Sequence, residues 1–277
     1  MPKILQLKAK DKQGKLRNTG CIEIKNQTET SAELYFYGDI IGSSKSEDYK
    51  NYYPDDKCPK DIIDFLNEIG DVDKLDIHIN SGGGSVFGGI AIYNQLKGCK
   101  AHKTVYVDGI AASIASVIAC VGDKIIVPSN ATFMIHKPMN GYFFTVMNAD
   151  ELRKDADVLD RCQEAIVNTY MGRAKEGVTR ETIEELVNKE TWLVGNEVTQ
   201  YFDFEVEESS EAVACTSDYF DKYINTPKNL KKETPPTVNV NTDEIVEKLY
   251  AKLKKDTEPA DQEQIKNKLL EDLYLYG

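Results

Sequence analysis

Two side chains of this sequence have the types that acyl-transfer chemistry uses, and they lie within one short stretch of chain. Ser113 stands in Gly109-Ile110-Ala111-Ala112-Ser113-Ile114-Ala115, a lone hydroxyl among small and apolar residues. It follows the β-like run Lys103-Thr104-Val105-Tyr106-Val107. Two readings stand for it. A small core serine bonds back to a helix carbonyl. A nucleophile at a strand-to-helix turn uses its small neighbours as room for substrate and keeps a free backbone N–H beside it. His136 ends the apolar run Phe133-Met134-Ile135-His136-Lys137-Pro138, which a proline breaks. An imidazole there suits a general base for the serine; the plainer reading is a histidine satisfied in the core or half exposed. Of the other two histidines, His102 sits among Lys100 and Lys103 and reads as solvated. His78 alternates with Asp76 and Asn80, on one face of a strand.

A third feature is Asn80-Ser81-Gly82-Gly83-Gly84-Ser85, which follows a strand and opens a helix. Glycines permit unusual dihedrals and close backbone approach. The run could cradle a phosphate, but it lacks both GK[ST] and GxGxxG. It could supply an oxyanion hole from the Gly84 N–H together with the Ile114 N–H. It could be a plain tight turn.

The elements that must hold these residues alternate. Residues 33–38 read as a strand ending at Gly38, and 61–69 as a helix by apolar spacing. Residues 75–80 alternate like a strand, 85–98 read as a helix, 103–107 as a strand, 111–120 as a helix and 124–127 as a strand. Short connections between alternating elements imply βαβ units and a largely parallel sheet, an α/β fold. The longest helical pattern is 149–175, with Leu152, Ala156, Leu159, Ile166 and Tyr170 on one face and Gly177 as its stop. Thr179 caps the next helix, with Glu181 in its first turn. Four segments are expected: an N-terminal extension at 1–31 forming a small hairpin or arm, a globular domain at 32–208, a linker at 209–241 and an amphipathic helical tail at 242–277. No internal repeat occurs.

Composition excludes several classes. The formal net charge of −12 opposes non-specific nucleic-acid binding and docking on anionic membrane. No apolar segment follows Met1, so no secretory signal is expected, and the apolar run at 109–122 is too short and too rich in Ala and Ser to span a bilayer. Six scattered cysteines with no CxxC or Cys/His spacing read as reduced thiols of a cytoplasmic protein, with no metal site and no cofactor expected.

Ile79-Asn80-Ser81-Gly82-Gly83-Gly84, then Gly109 to Ser113, then Met134-Ile135-His136-Lys137-Pro138 resemble, in order and spacing, the proteolytic subunit of the Clp protease. The resemblance covers residues 32–208. It implies a ClpP/crotonase-like ββα superhelix with a protruding handle helix at 149–175, through which subunits pack into rings. It implies Ser113 as nucleophile, His136 as base, and the Gly84 and Ile114 amides as oxyanion hole. The family's acid precedes an aromatic-Leu pair; here Glu190 precedes Thr191-Trp192-Leu193, so Glu190 takes that position in place of aspartate. The plainer reading of Glu190 is a surface glutamate in an acidic helix.

Departures from the family pattern shape the expected role. Gly82 replaces a proline. Asp76 and His78 are polar where the family's ATPase-docking groove is aromatic. Phe202-Asp203-Phe204-Glu205 replaces Gly-Leu-Val-Asp. With the extension and the tail, these features resemble Clp-type head-maturation proteases of tailed phages and prophages. The reading is a serine endopeptidase acting on capsid or scaffold polypeptides. The alternative is a proteolytic subunit working with an AAA+ unfoldase. A crotonase-type acyl-CoA enzyme and an inactive assembly protein are the remaining alternatives; the first lacks a basic patch for a CoA phosphate.

Overall fold

A computed structural model describes residues 3–10, 15–40, 59–141, 146–209 and 215–231. Its contacts divide the chain into Met1–Lys232 and Glu233–Gly277. The tail expected at 242–277 lies outside the described residues.

The fold is mixed α/β, as expected. Nine described strands form one sheet. A hairpin of β1 (Lys3–Lys10) and β2 (Leu16–Lys25) pairs antiparallel onto β3 (Ser31–Gly38), so the N-terminal segment extends the main sheet. Helix α1 (Pro59–Leu66) leads to β4 (Lys74–Ser81), α2 (Val86–Gly98) and β5 (His102–Ala112). Then come α3 (Ile114–Ala119), β6 (Lys124–Pro128) and β7 (Thr132–Ile135). Strands β3, β4, β5 and β6 run parallel in that order. The remaining elements are α4 (Ala149–Met171), α5 (Arg180–Asn188), β8 (Thr191–Val194) and β9 (Glu205–Glu207), the last parallel to β6.

Leu75, Ile77 and Ile79 of β4 and Val105 and Val107 of β5 are buried in the main core. Each fully buried aliphatic side chain contributes roughly 1.5–3 kcal/mol. The stretch Gly109-Ile110-Ala111-Ala112 reads by composition as the lead-in to a helix, yet it is strand. Ile110, Ala111 and Ala112 pair with Thr132, Phe133 and Met134 of β7. That pairing overrides the helical propensity of alanine. The helix begins only at Ile114 and ends at Ala119.

Helix α4 starts at a capping box: the Asn148 side chain accepts from the Asp150 and Glu151 amides, and Glu151 accepts from the Asn148 amide. It ends at Met171, well before Gly177. The chain is drawn off by a bridge between Ala174 and Phe202 and by the Lys175 amide donating to Tyr201. The expected Thr179 cap is present, accepting from the Thr182 amide.

Within the stretch expected as a linker, residues 215–231 pack on the sheet-bearing unit. Phe220 and Tyr223 are buried with Ile110, Ala112 and Met134 in a small cluster separate from the main core.

Candidate active site

Strand register brings the chemistry-bearing residues to one place. Ala112 of β5 lies opposite Met134 of the parallel β7, so Ser113 and His136 leave their strands at the same end. Ile135 lies opposite Thr191 of the antiparallel β8, so Glu190 enters at that end too. Ser81 of β4 lies opposite Ala111, which delivers the glycine loop there. Sites of parallel α/β sheets form outside the carboxyl ends of the strands, for this reason.

Ser113 occupies the tight turn between β5 and α3, with φ +54°. A non-glycine residue there stores on the order of 1–3 kcal/mol of strain. Serine at a helix start ordinarily caps the helix with its own oxygen. Here the Ser113 side chain makes no such bond. Its Oγ instead lies 2.6 Å from Nε2 of His136. The turn is held from behind. The Ser113 amide donates to Met134 at 2.9 Å, and the Ser116 hydroxyl donates to the Ser113 carbonyl at 2.5 Å. The Ser116 hydroxyl also pairs with the Tyr170 hydroxyl at 2.7 Å, tying the turn to α4. Sequence reasoning missed Ser116, because a serine inside an apolar helix carries no mark of its partner.

His136 is 6% exposed. Burial pulls its pKa down to about 4, with the Glu190 charge opposing. The imidazole is neutral at physiological pH and free to accept a proton at Nε2.

The glycine loop runs against both Ser113 and the 39–40 segment. A Cβ on Gly83 would come within 2.7 Å of the Ser113 Cβ, and one on Gly84 (φ +146°) would run into the Ile40 carbonyl. The bridge between Ile40 and Gly84 uses the Gly83 carbonyl and the Ser85 amide. In a parallel bridge the flanking residues make the bonds, so the Gly84 N–H faces away from Ile40. Ile114 is the first residue of α3, where an amide has no intrahelical acceptor. Both amides suit donation to an oxyanion.

Glu190 is 7% exposed and holds φ +51° between α5 and β8. Among the described residues no hydrogen bond joins it to His136. Its carboxylate accepts from the Ile224 amide at 2.8 Å, the Asn225 amide at 2.5 Å and the Trp192 indole at 3.3 Å. It is a buried acid, not a surface glutamate, and it reaches His136 through its field.

Tyr223 completes the surroundings. Its ring meets the His136 ring edge-on at 4.7 Å, and its hydroxyl donates to the Gly82 carbonyl at 2.6 Å. Burial pushes its phenol well above the ordinary value, opposed by a side-chain hydrogen bond with Ser113. Tyr223 carries no mark in the sequence, because it sits in a stretch without periodicity. His78 lies apart on the sheet face, stacked between Tyr35 and Tyr106 at 4.5 and 5.0 Å and bonded to Asp108. His102 is exposed near Asp123. Among the described residues, no three His, Cys, Asp or Glu side chains are grouped as metal ligands. No helix among them is long and apolar enough to cross a membrane.

The model of the family described as Clp protease matches residues 55–202, more than half of the chain. The chain belongs to the Clp protease family. Its α/β architecture is consistent with that family's fold. It is 33% identical over 126 residues to the ATP-dependent Clp protease proteolytic subunit 1 of Chlamydia muridarum, covering 44% of this chain and 64% of that protein. It is 30% identical over 146 residues to the ATP-dependent Clp protease proteolytic subunit of Leuconostoc citreum, covering 50% of this chain and 68% of that one. The subunit of Mesostigma viride is 28% identical over 176 residues, covering 62% and 72%. The chain thus spans somewhat less than two thirds of the Chlamydia relative.

Proposed function

We propose that this protein is a serine peptidase, in which Ser113 attacks the scissile carbonyl and His136 takes the hydroxyl proton. The observation that carries the reading is the 2.6 Å approach of His136 Nε2 to the Ser113 Oγ on a strained strand-to-helix turn. As the Ser113 Oγ–C bond forms, the carbonyl oxygen becomes an oxyanion facing the Gly84 and Ile114 amides. One such donor is typically worth about 10²–10³ in rate. His136 then protonates the leaving amine as the C–N bond breaks. A water, deprotonated by the same imidazole, releases the acyl group from Ser113. Glu190 stabilises the imidazolium that forms in each half-reaction.

The substrates are polypeptides, and the assembly is a ring of copies of this chain, with α4 as the handle between them. Cleavage of capsid or scaffold polypeptides in a phage or prophage setting is the role suggested by the departures from the family pattern and by the C-terminal tail. A second reading, work with an ATP-driven unfoldase, is favoured by the names of the relatives. It is favoured also by the placement of His78 between two tyrosines, which gives that face an aromatic surface. Wild type should cleave unfolded casein while Ser113→Ala does not; equal cleavage by the two sinks the peptidase reading. Cleavage of a folded substrate only with ATP and an unfoldase separates the second role from the first.

A further inference from the structure

Residues 215–231 lie across the site from three sides. Phe220 packs over Gly82, and the Tyr223 hydroxyl takes up the Gly82 carbonyl. That carbonyl belongs to the glycine loop, which runs against Ser113. The Tyr223 ring covers His136. The Ile224 and Asn225 amides hold the Glu190 carboxylate, which makes no hydrogen bond to the base. The pocket under Ser113, walled by Val86, Val117, Ile166 and Tyr170 and not by the segment, holds about 10 Å³, room for about one water. A wider groove of about 650 Å³ continues past Phe87, Met139 and Val158 and stops at Tyr219 and Lys222 of the same segment.

The segment is attached in a way that permits release. Among the described residues it contains no strand and only one short 3₁₀ turn, Lys228–Leu230. Its apolar anchors belong to a small satellite cluster. Its outer end is pinned by polar contacts: Arg17 with Asp218, and the Ser217 hydroxyl donating to Asp39 at 2.5 Å. Segments with few ladder hydrogen bonds and small apolar anchors are the ones that open locally.

We propose that residues 215–231 are a built-in cover, which blocks the substrate path to Ser113, holds Glu190 off the base, and must be displaced by a polypeptide before cleavage. The inference rests on the serine-peptidase reading. Displacement uncovers the glycine loop and frees the Glu190 carboxylate for His136.

Two full-length variants loosen the cover without touching Ser113, His136 or Glu190: Phe220→Ala, and the double Ser217→Ala with Asp218→Ala. Each is compared with wild type by two rates. Diethyl pyrocarbonate acylation of His136 at about pH 7.5, mapped by peptide mass, needs access to the neutral imidazole and does not depend on the serine. Fluorophosphonate labelling of Ser113 needs access and nucleophilicity. The expected result is at least a tenfold rise in both rates in both variants, with unchanged far-UV circular dichroism. Should Phe220→Ala lose its fold, the double variant, which removes polar contacts and no core side chain, decides. Rates equal to wild type, or slower, overturn the proposal and make 215–231 a fixed wall of the site. A faster His136 reaction with no labelling of Ser113 in any form upholds the cover and defeats the serine-peptidase reading.

Discussion

Burial of a neutral histidine beside the nucleophile makes the fold acid-sensitive in a way that one residue controls. The His136 pKa drops from an ordinary 6.5 to about 4, chiefly by burial. Above pH 6.5 the imidazole is neutral in both folded and unfolded chains and adds no pH dependence. Between pH 6.5 and 4 the unfolded chain binds a proton that the folded chain refuses, so stability falls as pH falls. Below pH 4 both states are protonated and the loss is complete. At about 1.4 kcal/mol per pH unit the drop amounts to roughly 3 kcal/mol in full, most of it already lost at pH 4.5. Carboxylates titrate in the same range, so the assay is a difference. Urea unfolding is measured for Ser113→Ala, which cannot digest itself, and for the same chain with His136→Gln. Between pH 7.5 and pH 4.5 the stability of the first should fall relative to the second by about 2–3 kcal/mol. A difference that stays constant over that range would refute the buried, neutral base.

Further outcomes follow from the same geometry. Gly84→Ala forces a Cβ against the Ile40 carbonyl in a φ region that suits glycine, so it should lower the melting temperature and cut peptide hydrolysis by about 10²-fold or more, through one displaced oxyanion donor. Gly89→Ala drives a methyl into Ile114 where α2 packs on α3, and should cost about 1–3 kcal/mol in chemical denaturation. Tyr170→Phe leaves the Ser116 hydroxyl without its α4 partner; about 1 kcal/mol of stability should go, with kcat falling more than KM changes. Glu190→Gln removes the charge that favours the His136 imidazolium, so kcat/KM should drop about tenfold or more and its acid limb should move to lower pH.

The sequence made the centre of the site legible because its residues are anchored by local pattern. A serine after an apolar strand, a histidine at the end of another and a glycine run between strand and helix each declare the end of an element. Parallel pairing then places those ends together, as β5 and β7 do for Ser113 and His136. What the sequence concealed depends on contacts distant in the chain. Gly109 to Ala112 looks helical until β7 pairs with it. The N-terminal segment reads as a small hairpin or arm, and only the pairing of β2 with β3 makes it part of the main sheet. Tyr219, Phe220 and Tyr223 have no helical or strand period, because their burial is set by Gly82, Ile110 and His136 rather than by neighbours in sequence. The partners of Glu190 were hidden for the same reason, since both amides come from 34 and 35 residues away.

The chemistry proposed for the site turns on Ser113 as a nucleophile activated by His136. Full-length protein treated with a fluorophosphonate and mapped by peptide mass tests it most directly. One adduct is expected, on Ser113, absent from Ser113→Ala and strongly slowed in His136→Gln. An unlabelled Ser113 in the folded protein and in both variants that loosen the cover, or labelling that proceeds as fast without His136, would contradict it.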